Sequence, residues 1–121
     1  MKVQLLKNDI KETFGEGDAS FDYWYRPLTV DEKQRIRSSI VWMASGKSYT
    51  VDFAKTDPGE LVRLAVTKID RLFDSDDKKI ATIGDLLDST LAPGELDGIL
   101  ISMWTTIWLG QVVPEALKKK S

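Results

Sequence analysis

The densest run of metal-ligand types in this 121-residue chain is Asp74, Ser75, Asp76 and Asp77. Oxygen ligands at this spacing suit a hard cation such as calcium. An EF-hand loop, however, needs a further ligand and then a glycine where this chain has Lys78 and Lys79. The run reads as a solvated acidic loop, and no metal site is assigned to it. The chain has no histidine, which removes the side chain most used for proton transfer near neutral pH and the commonest metal ligand. It also has no cysteine, so thiol chemistry, thiolate metal sites and disulfides are excluded. A serine or threonine nucleophile would need a lysine or carboxylate base, and no spacing singles one out. No catalytic residue, metal ligand or cofactor site is assigned, and the chain is expected to be non-enzymatic. What the residues do offer is apolar recognition. Trp24, Trp42, Trp104 and Trp108 are the side chains best suited to anchor a protein partner, because each carries a large rigid ring and a polar handle. Trp104 and Trp108 fit a core helix equally well. Trp24 is the better surface candidate, since it opposes Phe21, Tyr23 and Tyr25 in an alternating run.

The element around which the others must pack is Pro93 to Gly110. Leu96, Ile99, Leu100, Met103, Trp104, Ile107 and Trp108 recur at the spacing of one buried helical face. Pro93 suits the first helical position, Glu95 the positive end of the helix dipole, and Gly110 the stop. No charge occurs between Asp97 and Glu115, so the helix is expected to be covered on more than one side. The run falls short of the roughly 18–20 apolar residues that cross a bilayer.

Two further helices carry start signals. Thr29, Val30, Asp31 and Glu32 fit a capping box, which predicts a helix from about Val30 to Ala44 that stops at Gly46. Asp57, Pro58, Gly59 and Glu60 open a helix expected to reach Phe73, with Leu61, Leu64, Ala65, Ile69 and Leu72 as its stripe. Gly84 to Leu87 predicts a single further turn. Residues 2–6, 21–25 and 48–54 alternate as short strands, the third available to pair with the first two. The stretch between the first two, with turn chemistry at Gly15 to Asp18, reads as a long loop or short helical turn.

Together these predict an α+β fold that is predominantly helical. It would have three to four helices and a small antiparallel N-terminal sheet of two to three short strands. The chain reads as a single domain, with a strand-containing part and first helix over 1–54, a helical part over 55–113 and a basic tail over 114–121. Its length is enough to bury roughly two-thirds of the surface its unfolded form exposes. A formal charge of −2 gives no global attraction to phosphate, so nucleic acid is not expected as a partner. A membrane is not expected either, and charges recurring from Lys2 through Glu12 speak against a cleavable export signal.

The order YRPLTVDEKQRI, DPGELVRLAVTKIDRLFD, IGDLLDSTLAPGELDGILISMWTTIWLG, over roughly residues 20–117, resembles the tail assembly chaperones of long-tailed bacteriophages. That resemblance implies a non-catalytic protein of the bacterial host cytoplasm, absent from the finished virion. It would cover the aggregation-prone tape measure protein, help recruit tail tube subunits and self-associate. Genes of that family commonly make a longer product by ribosomal frameshifting, and Lys118 to Lys120 stand where a slippery run of lysine codons would fall. The other readings are a small regulator or inhibitor that blocks one protein through an aromatic patch, a binder of small apolar ligands between the strands and the helix at 93–110, and an enzyme built on perturbed carboxylates or a lysine.

Overall fold

The computed structural model describes residues 9–89, 91 and 93–112. In chain order these form β1 (Ile10–Glu16), β2 (Ala19–Tyr25), α1 (Val30–Ser39), β3 (Trp42–Ser45), β4 (Ser48–Val51), α2 (Pro58–Ala65), β5 (Val66–Asp70), β6 (Leu72–Phe73), β7 (Lys79–Ile80), α3 (Ile83–Leu87) and α4 (Pro93–Val112). The expected strand at 2–6 and the basic tail at 114–121 lie outside the described residues.

A three-stranded antiparallel sheet in the order β1-β2-β5 forms one layer, and α4 packs across its inner face. β2 supplies that face with Phe21, Tyr23 and Tyr25, all buried, while α4 answers with Ile99, Leu100, Met103, Trp104 and Ile107. Leu61, Val62 and Ala65 of α2 complete the core beside α4. The C-terminal end of α4 is fitted to the sheet at two points. Gly110 lies so close to Tyr25 that a Cβ there would overlap the tyrosine hydroxyl. Next to it, the Gln111 side-chain amide donates to the Arg26 carbonyl and its oxygen accepts from the Leu28 amide, both at 2.9 Å. The expected helix at 93–110 is thus present and central.

The helix starts also fall where their capping residues stand. Thr29 and Glu32 form the reciprocal capping box of α1, and Thr82 and Asp85 that of α3. The Asp57 carboxylate accepts from the Gly59 amide, with Pro58 at the first turn of α2.

The expectation of a predominantly helical chain is overturned: 42% of the described residues are helical and 31% lie in strands, in three small sheets that are not confined to the N-terminal part. Four local reasons account for this. First, α1 ends at Ser39 and not at Ala44, because β-branched Ile40 and Val41 turn extended and Ser38 and Ser39 spend their hydroxyls on the carbonyls of Gln34 and Ile36. Gly46, read as a helix stop, is instead the first residue of the two-residue β3–β4 turn, with a φ of 63°.

Second, the expected strand at 48–54 is shorter, Ser48–Val51, and pairs with β3 instead of joining the N-terminal sheet. Third, the stretch read as a loop or helical turn is β1, whose hairpin with β2 closes through Gly17 and Asp18. Glu12 occupies a core-side position of that strand, so apolar alternation is weak there. Fourth, α2 stops at Ala65, and residues 66–70 and 72–73 become strands. β5 carries a bulge opposite Trp24 and Tyr25, which puts exposed Thr67 and Lys68 between buried Val66 and Ile69. A bulge of this kind imitates the three-residue spacing of a helix.

No helix among the described residues is long and apolar enough to cross a membrane. The Gly110 contact makes a clear expectation. Gly110→Ala should lower stability by about 1–3 kcal/mol through overpacking against Tyr25. Gly98→Ala, where a Cβ meets nothing within 4 Å, should raise it by about 0.5–1 kcal/mol. Thermal denaturation of both variants checks the pair, and equal effects would contradict this packing.

Candidate protein-binding surface

The β3–β4 hairpin is built to stand clear of the core. Ile40, just before it, is buried, and Thr56, just after the chain returns, is buried too. The Thr56 hydroxyl accepts from the Val41 amide at 2.9 Å and donates to the Val41 carbonyl, tying the two legs together at the base. Beyond this clasp the strands carry apolar side chains into solvent: Trp42 is 55% exposed, Met43 47% and Tyr49 72%. The register pairs Trp42 with Val51 and Ala44 with Tyr49. Cross-strand partners share a face, so Trp42, Ala44, Tyr49 and Val51 make one apolar side of the ribbon. An isolated two-stranded hairpin is marginal in water, and exposed aromatic side chains on it mark a place where another surface is expected to sit.

At the foot of the hairpin the aromatic character continues. The Phe53 ring meets Trp104 edge-on at 5.2 Å between centroids, Trp104 stacks on Trp108 at 6.0 Å, and the Arg37 guanidinium lies 5.8 Å from the Trp108 ring. The exposed side of α4 adds Leu109 and Val112.

The four tryptophans chosen from the sequence therefore separate. Trp104 and Trp108 are neighbours, the first buried in the core and the second half-exposed. Trp42 is on the hairpin. Trp24 sits on the opposite, outer side of the three-stranded sheet, with the Lys11 and Lys68 ammonium groups 5.5 and 4.7 Å from its ring. Sequence reasoning missed Met43 and Tyr49. Tyr49 was visible as part of an alternating run, but its place opposite Ala44 was hidden by the reading of 42–44 as helix.

The strongly perturbed carboxylates are held ionised. Two hydrogen bonds of 3.0 Å from the Arg71 guanidinium, helped by the Thr13 hydroxyl, pull Asp22 down to about 2. Arg71 takes a left-handed φ of 66° to reach it. The Arg26 fork at 2.9 and 2.6 Å, together with the Thr29 amide, does the same for Glu32, also to about 2. Burial pushes the Tyr23 phenol up to about 12. None of these groups is poised to exchange a proton near neutral pH.

The acidic loop is likewise occupied by its own backbone, since Asp74 Oδ1 accepts from the amides of Asp76 and Lys78, both at 2.9 Å. Among the described residues no three side chains of metal-ligand type come together. An open cleft of about 280 Å³ does lie between the sheet and α4, lined by Phe14, Phe21, Phe73 and Ile99 together with Arg71 and Glu95. It falls just short of the roughly 300–1,000 Å³ typical of ligand pockets.

The two most depressed carboxylates, Asp22 and Glu32, act in the same direction. Their pairing contributes stability above the ordinary carboxylate range, and this is lost as pH falls through the folded-state values. Unfolding by urea should therefore show little change from neutral pH to about pH 5 and a steady loss towards about pH 2. In Glu32→Gln the acid slope should be shallower and neutral-pH stability lower; an unchanged slope would contradict the role given to Arg26. No family model, curated protein or solved structure matches the chain.

Proposed function

We propose that this chain is a non-catalytic protein-binding module of the tail assembly chaperone kind, holding apolar helical segments of a tape measure protein until tail tube subunits are recruited. The observation that carries the reading is the hairpin, a ribbon projecting Trp42, Met43 and Tyr49 into solvent while the core behind it is filled. A client helix laid along the Trp42, Ala44 and Tyr49 side would bury those rings. Its apolar face would then gain a partner without any bond being made or broken. Two features support contact over chemistry. The two most strongly perturbed carboxylates, Glu32 and Asp22, are each locked by an arginine, and the exposed rings of Trp42 and Tyr49 stand on a two-stranded ribbon.

The hairpin has an open side and no deep groove, which suits reversible holding better than a tight lock. Large interfaces depend on a few aromatic anchors. Trp42→Ser and Tyr49→Ser should each weaken capture of purified tape measure segments by about tenfold or more, equivalent to about 1.4 kcal/mol or more. Trp24→Ser, on the far face of the sheet, should change it by less than about twofold. Biolayer interferometry with immobilised segments measures all three. Failure of the wild-type chain to bind any such segment, or equal losses at Trp24 and Trp42, would sink the reading. A single stoichiometric complex with an unrelated host protein would point to the regulator class instead.

A further inference from the structure

The hairpin also has an edge, distinct from the face just described. In a hairpin closed by the two-residue loop of Gly46 and Lys47, Ser45 and Ser48 exchange backbone hydrogen bonds. The parity of an antiparallel ladder then turns the amide and carbonyl of Met43 and Val41 inward as well. The bond from the Asp52 amide to the Val41 carbonyl, at 2.7 Å, agrees with this. The N–H and C=O of Trp42 and Ala44 must therefore point away from β4. No backbone partner reaches them among the described residues.

Edges of this kind are usually defended. That of β1 carries Lys11, Glu12 and Glu16, with Glu12 on the core side. β5 is partly covered on its outer side, because the Ile69 amide donates to the Ala81 carbonyl at 3.1 Å. β3 reads Trp42, Met43, Ala44, Ser45: it has no charge, no proline and no bulge.

We infer that β3 is a dimerisation strand, joining antiparallel to β3 of a second copy of this chain about a two-fold axis at Met43. Three features make the strand self-complementary. The outward groups of Trp42 and Ala44 are in phase, so Trp42 of each copy exchanges both backbone hydrogen bonds with Ala44 of the other. The large indole then lies opposite the small methyl, which an isologous contact requires twice over. With no charge on the strand, no like charges meet across the axis. The product is a four-stranded ribbon, β4-β3-β3-β4. Because the axis is perpendicular to it, the Trp42 and Tyr49 faces of both copies lie on the same side. This inference uses the strand's edge and the proposed client site uses its face, so either can fail without the other.

The absence of cysteine from the chain makes the test direct. Met43 would face Met43 as a non-hydrogen-bonded pair, with Cα atoms about 4.5 Å apart, inside the range a disulfide spans. Oxidised Met43→Cys should run as a covalent dimer on a non-reducing gel, while Thr50→Cys on the opposite strand should stay monomeric there. Ala44→Pro removes only an outward amide, so it should leave the circular dichroism spectrum and melting temperature close to wild type. The same variant should convert the wild-type dimer to monomer in light scattering. A wild-type monomer at high micromolar concentration, cross-linking at Thr50 but not at Met43, or a dimer that survives Ala44→Pro would each overturn the inference.

Discussion

Everything else in the described structure leans on the contact between α4 and the aromatic side of β2. Phe21, Tyr23 and Tyr25 present three rings in a row, and the helix meets them with Ile99, Met103 and Ile107, leaving no gap at Gly110. Each large apolar side chain buried this way contributes about 1.5–3 kcal/mol, so the pairing outweighs any single cap or ion pair in the molecule. It also explains why the helix carries no charge from Gly98 through Val112. One side is under the sheet, another is against α2, and a charge on either would have to be desolvated without a partner. Gln111 then fixes the rotation of the helix by gripping both ends of the Arg26 to Leu28 link. That link in turn sets where α1 begins.

With the sheet's inner face filled by α4 and α2, the residues between α1 and α2 have no interior place to go. They fold on themselves as β3 and β4, anchored by the buried Thr56 clasp and by Phe53 against Trp104. Their apolar side chains are left outside as a direct consequence. Rings this exposed cost solubility, and the proposed role in protein contact accounts for their being left there. The outer face of the three-stranded sheet is treated differently: Trp24 is flanked by lysines, and Asp22 is covered by Arg71. Trp24 is dressed with charge, and Trp42 is not.

Local signals were legible wherever the deciding atoms are close in sequence. The capping box at Thr29 and the Asp57–Pro58 start are satisfied within three residues; the box at Thr82 is equally local and was not read. The helix at 93–110 needed only its own periodicity. The face alternation of 21–25, with Trp24 opposed to three core rings, was also visible in advance. Of the candidate binding surface, Trp42 and Trp108 could be named from residue type, but Tyr49 and Met43 could not be grouped with them, because that depends on the β3–β4 register.

The sequence by itself determined where helices start, which face of α4 is buried and which chemistries are closed to the chain, since these follow from residue types and short spacings. Only the tertiary structure decided that 42–45 and 66–70 are strands. Ile40, Val41 and Val66 can follow a helix or leave it at nearly equal local cost; pairing with the distant β2 tips the balance for 66–70, and the hairpin with β4 does so for 42–45. The bulge at Thr67 and the glutamate on the core side of β1 arise from that pairing, and they erase the alternation by which a strand is recognised. The same holds for the exposed hairpin: its rings are apolar in any reading, and only the filling of the core by other elements leaves them facing water.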